Sequence, residues 1–180
     1  MNIRRFTMNN GAKLGASLVL CGILFHLFGI VDFERPFLVL SLNTVLLASF
    51  IFFSIKEYRD LHSGGFISFA KCIKVGISVG VFSAIIFGFW KVLLINYIDS
   101  DYADLALQKQ QQMLLEFEVQ YPGVMPNVDE MLDTIDEEGV KQYRPLNILM
   151  NEIVSKTLGS FILSLLFVFF LKKENNNLMI

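Results

Sequence analysis

The chain has 180 residues, of which 54% are hydrophobic and only 18% are charged, and its formal net charge at pH 7 is −2. So much apolar surface with so few charges is rare in a soluble domain of this size. The small net charge conceals an asymmetry, because the segment 96–147 carries −8 and the rest of the chain +6. No basic face coincides with a polar element, which argues against a nucleic-acid partner.

Four apolar runs follow one another along the chain, and each predicts a transmembrane helix. The predicted helices cover residues 12–31, 36–55, 73–98 and 148–171. The run from Pro36 to Ile55 has no charged residue, and at about 1.5 Å per residue it matches a hydrocarbon core about 30 Å thick. Pro36 suits the first helical turn, where its missing N–H would have no partner. The expected fold is an all-α membrane protein forming one integral domain over residues 1–180.

The first run follows Arg4, Arg5 and Lys13, so it also fits the start of a secretory signal peptide. No small-residue cleavage site follows it, because the run leads into Val-Asp-Phe-Glu-Arg-Pro. The arginine pair loosely resembles a twin-arginine export signal, but arginines before a first membrane helix are ordinary topology determinants. We therefore predict a first helix that is retained in the protein.

Lysine and arginine are unequally distributed between the two sides of the predicted membrane. Nine lie before the first helix, between the second and third, and after the fourth, whereas four lie on the other side. Because basic loops stay in the cytoplasm, both termini are expected inside. The sequence thus predicts a multi-pass protein of the bacterial inner membrane, surrounded by the lipid bilayer.

A polar insert, residues 99–147, separates the third and fourth transmembrane helices. Its first part, residues 101–121, has the pattern of an amphipathic helix, which the Pro and Gly residues of 122–126 would end. Residues 128–138 predict a second short helix, ended by Gly139. On the orientation above, this helical insert is extracytoplasmic. It is too short for an independent enzyme domain.

Small residues recur at regular spacing in two predicted helices. Such residues let helix backbones approach closely in lipid, where dispersion and weak polar contacts drive association. Their pattern indicates either packing within the bundle or the seam of a homodimer. The residues are Gly15, Gly22 and Gly29 in the first helix, and Gly76, Gly80, Ala84 and Gly88 in the third.

His26 and Asn43 are the deep polar residues of the first and second predicted helices. An ionisable group at membrane depth is a candidate functional residue. A proton relay would need an acidic partner at that depth, and no Asp or Glu lies in the middle of a predicted span. We expect an intramembrane polar pair between His26 and Asn43, with the relay as the alternative.

Lys91, Glu152 and Lys156 lie near the predicted outer surface. Glu152 and Lys156 are four residues apart with the acid first, which favours an ion pair along a helix. The two lysines could bind a substrate carboxylate. The alternative is local ion pairing, with each side chain extending along its apolar stem toward the interface.

No motif in the sequence assigns a catalytic, cofactor-binding or metal-binding residue. The loop 62–65, His-Ser-Gly-Gly, lacks the spacing of a phosphate-binding loop, and no Gly-x-Ser-x-Gly elbow occurs. Two histidines cannot build a His-rich metal site. Cys21 and Cys72 fall at or inside apolar helices, where free thiols packing as small hydrophobic groups are expected.

Motifs around the connection of the second and third helices resemble those of a known membrane family. They are Lys56-Glu57-Tyr58-Arg59-Asp60, Gly64-Gly65-Phe66-Ile67-Ser68-Phe69-Ala70-Lys71 and Lys74-Val75-Gly76. The family is domain of unknown function 4199, common in Bacteroidetes, whose members look like four-helix membrane proteins. Ile98-Asp99, followed by a Gln/Met/Glu-rich helix, is also similar. The resemblance covers nearly the whole chain and implies fold and location, but no activity.

These observations favour a non-enzymatic structural or partner-binding bundle, associated with another membrane protein or with a second copy of the chain. A small oligomeric transporter or channel subunit, using His26, Asn43 and the outer lysines, is the alternative. Four helices are few for a carrier, so this alternative requires oligomerisation. A membrane enzyme is the third hypothesis, and it lacks a nucleophile with a neighbouring base.

Overall fold

The computed structural model describes residues 2–125 and 127–172. Pro126 and Lys173, which entered the predictions above, lie outside this part of the chain. The helices are α1 (Ile3–Leu27), α2 (Pro36–His62), α3 (Phe69–Leu93), α4 (Tyr102–Gln120), α5 (Val128–Gln142) and α6 (Pro145–Leu171). The π-helical turn Leu94–Ile98 continues α3 toward the insert.

Four helices are long and apolar enough to cross a membrane: α1, α2, α3 with its π-helical turn, and α6. The predicted all-helical fold with four such helices is thereby confirmed. Several helices exceed their predicted bounds, since α1 begins at Ile3 and α2 continues to His62. The predictions counted only apolar residues, whereas backbone hydrogen bonding continues past the first charged side chain.

The first helix ends before residue 31 because Gly29, which follows the C-cap residue Phe28, turns the backbone out of the helix. The Gly29 backbone has φ +64°, in the left-handed region. Its N–H donates to the His26 carbonyl at 3.1 Å, and the Ile30 N–H donates to the Phe25 carbonyl at 2.8 Å. This pair of bonds is a Schellman motif, which satisfies carbonyls at a helix end. Gly29 therefore belongs to the turn after α1 and not to the helix itself.

Within the insert, α4 and α5 pack on each other as an antiparallel pair. The Gln111 side-chain amide donates to the Asp136 carboxylate at 2.5 Å. A Cβ on Gly139 would collide with the Leu107 side chain, so the glycine permits close approach of the two helices. The prediction that Gly139 ends the second insert helix is wrong, because α5 continues to Gln142.

The centre of the fold is α3, which packs most extensively against α6 and α1. Gly15 and Gly22 of α1 face α3: a Cβ on Gly15 would lie 2.8 Å from the Ile86 Cβ, and one on Gly22 2.5 Å from the Trp90 Nε1. Real Cβ atoms essentially never make contacts this short, and a Cβ on Gly11 would likewise lie 2.5 Å from the Phe82 Cβ. The close α1–α3 contact thus uses all three glycines.

The opposite side of α3 presents its own glycines to α6. A Cβ on Gly76 would collide with the Ser164 hydroxyl, and one on Gly80 with the Ser160 hydroxyl. Farther along, Gly88 packs against Leu149 of α6, and Ala84 of α3 is fully buried. The small residues of α3 therefore lie inside this chain's own bundle.

Packing is uneven along the bundle. We call the end that holds Ile3 and Leu171 the termini end, and the end that carries α4 and α5 the insert end. The largest core cluster lies toward the termini end and includes Leu14, Ile51 and Val75. The buried residues of α2 all fall at or after Leu47, and those of α1 all fall at or before Leu18. Both helices are consequently less tightly packed at the insert end.

Candidate functional site

A second, smaller core anchors the insert to the bundle. Its buried members are Ile95 of the π-helical turn, Tyr102 and Ala106 of α4, and Ile148 of α6. Partly buried side chains of the α1–α2 connection, Val31 among them, pack against it. Beside this apolar cluster, charged residues from three parts of the chain come together: the α1–α2 connection, α3 and α6.

An ion-pair cluster lies beside this small core. The Lys91 Nζ is 2.9 Å from the Asp32 Oδ2 and 3.4 Å from the Glu152 Oε1. The Lys156 Nζ is 2.5 Å from the Glu152 Oε2. The Tyr102 hydroxyl donates to the Asp32 Oδ1. Cations and anions thus alternate in a continuous series, and each carboxylate of the cluster is paired with at least one lysine.

The ion-pair cluster is shielded from solvent by the surrounding helices. Exposed side-chain fractions are 29% for Asp32, 25% for Lys91, 15% for Glu152 and 12% for Lys156. The Lys156 ammonium also lies 4.2 Å from the centroid of the Phe87 ring, within range of a cation–π interaction. Charges held this far from water are stabilised by their partners in the cluster.

The protonation of the groups outside the membrane-spanning segments follows from this pairing. Burial alone would raise the pKa of Asp32, but the Lys91 charge and the hydrogen bonds from Tyr102 and Lys91 hold that pKa below its ordinary value. Burial and the neighbouring Asp32 charge both raise the pKa of Tyr102. The same two causes raise the pKa of Tyr143. At neutral pH the cluster therefore holds an ionised Asp32 and neutral phenols.

Two cavities adjoin the ion-pair cluster. The larger, about 770 Å³, lies between α2, α3 and α6 and is lined by Lys91 and Lys156 among others. The smaller, about 210 Å³, lies between α1, α2 and α3. Asp32, Lys91 and Asn43 line both cavities. The looser packing at the insert end thus creates space directly beside the charged groups.

The predicted polar pair, His26 and Asn43, lies at the smaller cavity. Both residues line it, His26 being exposed and Asn43 partly buried. Of the hydrogen bonds among described residues, none joins the two side chains. The cavity therefore brings His26 and Asn43 to one place without a hydrogen bond between their described side chains.

The other residues singled out in the sequence lie in pairs, in helix contacts or in a turn. Glu152 and Lys156 form the predicted pair within one helix, so local ion pairing of these groups is confirmed. Cys21 and Cys72 are free, as expected. Gly15, Gly22, Gly76, Gly80 and Gly88 lie at helix–helix contacts and Ala84 is buried, whereas Gly29 has open space around it.

Sequence reasoning missed the partners that complete the ion-pair cluster. In the sequence, Asp32 was noted only as the polar end of an apolar run, and Tyr102 only as part of a predicted helix. An acidic residue just after one membrane helix could pair with a single lysine near the end of another helix, such as Lys91. This signal is weak, because the sequence does not show which lysine the acid pairs with or how far apart the two charges lie.

The fold and the site define an all-helical protein with four helices able to cross a membrane and a shielded ion-pair cluster at one end. A family model described as "Protein of unknown function (DUF4199)" matches residues 9–173. The chain belongs to this family, which confirms the resemblance seen in the sequence. Neither a curated protein nor a solved structure matches the chain.

Proposed function

We propose that the chain is a multi-pass protein of the bacterial cytoplasmic membrane, with both termini inside and the insert outside. The order of the helices supports this orientation, because it collects most basic residues at the termini end. Basic residues flanking membrane helices are retained in the cytoplasm. The described residues concerned are Arg4, Arg5, Lys13, Lys56, Arg59, Lys71, Lys74 and Lys172.

The proposed role is non-enzymatic binding of a partner protein by the insert. The observation that carries it is the exposure of α5, which has no buried residue and contacts α4 as its main neighbour. An exposed helix with six acidic residues and one lysine suits a partner with a basic surface, which the negative field of the helix would also attract. The exposed acidic residues of α5 are Asp129, Glu130, Asp133, Asp136, Glu137 and Glu138.

In this proposal the charges of the ion-pair cluster have a structural role. The Glu152 carboxylate has a lysine on each oxygen, and Asp32 accepts from both Lys91 and Tyr102. A carboxylate so paired is stabilised as an anion and is a weak base. These groups join α3, α4, α6 and the α1–α2 connection and so hold the insert in place.

Partner binding is tested by photocrosslinking in native membranes from a residue placed at Val140, which is 55% exposed on α5. We expect one discrete crosslinked envelope protein, lost in the double variant Asp133→Lys/Glu137→Lys and weakened by salt. The matched control is Glu57→Lys, an exposed acid at the termini end. A crosslink unaffected by the double charge reversal would contradict the proposal.

A small oligomeric transporter or channel subunit is the second candidate. The adjoining cavities favour it, since His26 and Asn43 line the smaller one and Asn43 also lines the larger. Purified protein in liposomes would then carry a proton or ion flux that His26→Ala reduces. Equal flux with protein-free liposomes would remove this candidate.

A further inference from the structure

The larger cavity opens onto the lateral surface of the bundle. Leu40 of α2 and Ile162 of α6 both line it, yet they are 65% and 57% exposed. Both helices are long and apolar enough to cross a membrane, so these exposed side chains face the region of the acyl chains. A molecule can therefore enter from the bilayer between α2 and α6.

The inner wall of this cavity carries a cation with unused donors. Lys156 lies three turns into α6, about 16 Å along its axis from Pro145. Its ammonium has three N–H donors, of which one is directed to Glu152, and it also lies over the Phe87 ring. A second cation, Lys91, lines the same cavity but is shared between two carboxylates.

The rest of the lining divides by polarity. Asn43, Thr44, Asn151 and Ser155 add neutral polar groups near the lysines, and apolar side chains such as Leu47 and Leu163 continue toward the middle of the helices. About 770 Å³ lies within the range of small-molecule sites. The polar part holds Lys91 and Lys156 together with their carboxylate partners, Asp32 and Glu152, and it joins an apolar part open to lipid. This arrangement is complementary to an amphiphile with a charged headgroup.

We infer that this cavity binds one phospholipid from the leaflet at the insert end. The phosphate accepts hydrogen bonds from Lys156, and one acyl chain follows the gap between α2 and α6. A phosphate is favoured over a neutral headgroup because it forms charge-assisted hydrogen bonds with the ammonium. The inference is independent of the partner proposed for α5, since the acidic residues of α5 do not line the cavity and only its last residue, Gln142, does.

The test is native mass spectrometry of the full chain, delipidated in detergent and titrated with dioleoyl phosphatidylethanolamine or phosphatidylglycerol. We expect one phospholipid retained per chain, with retention about tenfold weaker for Lys156→Met. The matched control, Lys141→Met, removes an exposed lysine of α5 and leaves retention unchanged. No retained lipid, or equal retention by Lys156→Met, would overturn the inference.

A second variant covers the case in which Lys156→Met does not fold. Gly159 lines the cavity, and a Cβ there makes only an ordinary contact of 3.5 Å with Leu47. Gly159→Leu fills the space without removing a charge, and we expect it to reduce lipid retention while Gly159→Ala does not. Competition separates the two sources of phosphate: inorganic phosphate or glycerophosphoethanolamine should not displace the lipid. Displacement by either would show an anion site and contradict a lipid site.

Discussion

Lys91 and Asp32 are separated by 59 positions in the sequence, yet the ammonium of one lies 2.9 Å from the carboxylate of the other. Lys91 also contacts Glu152 on the opposite side, at 3.4 Å. One lysine of α3 therefore connects the α1–α2 connection to α6.

Replacing Lys91 by methionine should destabilise the protein, because two partly shielded carboxylates lose a shared cation. We expect a loss of about 2–3 kcal/mol in the free energy of unfolding, less than for a fully buried pair because water still reaches these groups. The measurement is unfolding by heat or denaturant in detergent micelles.

Lys141→Met serves as the control for that experiment. Lys141 pairs with Glu138 on α5, where both side chains are exposed, so its removal should change stability little. Equal destabilisation by the two variants would show that the position of Lys91 between two carboxylates has no special importance.

Acidification should destabilise the protein through Asp32. Its pKa in the folded protein lies below the ordinary value of 3.8, so the unfolded chain takes up this proton at higher pH than the folded one. The stabilisation is complete above the ordinary pKa and is lost as the pH falls through the lower folded value. Between about pH 5 and pH 3 the melting temperature should fall more steeply for the wild type than for Asp32→Asn. Parallel curves would contradict this assignment.

Tyr102 should remain protonated in alkaline solution as long as the protein is folded. Burial and the Asp32 charge raise the pKa of its phenol above the ordinary value of 10.0. The chain has five tyrosines, and phenolate absorbance reports those that ionise. Tyr102→Phe should leave the absorbance change of the folded protein near pH 10 unaltered. A smaller change in the variant would mean that Tyr102 does ionise there.

Enlarging Gly80 should separate α3 from α6. A side chain at this position meets the Ser160 hydroxyl and the Lys156 carbonyl, and the backbone carbonyl cannot move away easily. We expect Gly80→Leu to lose about 3 kcal/mol or more, or to fail to fold. Gly159→Ala on α6, whose Cβ would make an ordinary 3.5 Å contact with Leu47 of α2, should be tolerated. Thermal unfolding of the two purified variants compares them directly.

The proposed orientation predicts which residues a membrane-impermeant thiol reagent reaches. In a background of Cys21→Ser and Cys72→Ser, a cysteine at exposed Gln112 of α4 should react in intact spheroplasts. A cysteine at Ser63, in the α2–α3 connection, should react only after permeabilisation. The reverse pattern would place the insert in the cytoplasm and remove the proposed external partner.

The long helices and the contacts within one helix could be predicted from the sequence alone. Lipid demands a minimum apolar length, which made the run from Pro36 to Ile55 unambiguous. The pairing of Glu152 with Lys156 followed from their spacing on one helical face. The extension of α1 back to Ile3 did not follow, because charged residues such as Arg4 ended the apolar count before the helix ended.

Contacts between helices were beyond sequence reasoning. Periodicity shows which residues share a face, as for Gly76 and Gly80, but not which helix covers that face. The pair between Asp32 and Lys91 depends on how α3 is rotated relative to the α1–α2 connection. Rotation and relative height are set by packing of the whole bundle. The ion-pair cluster and its cavities therefore required the three-dimensional structure.

The central position of α3 has a consequence for biogenesis. Translation and membrane insertion proceed from the N-terminus, so α1 enters the bilayer well before the helix against which its glycines pack. Until α3 is inserted, Gly15 and Gly22 face lipid or another membrane helix that presents small residues. In the proposed orientation the insert must also cross the membrane before α6 can pack against the other side of α3. Because α6 follows the insert in the sequence, the packing around α3 is completed only after α6 leaves the ribosome.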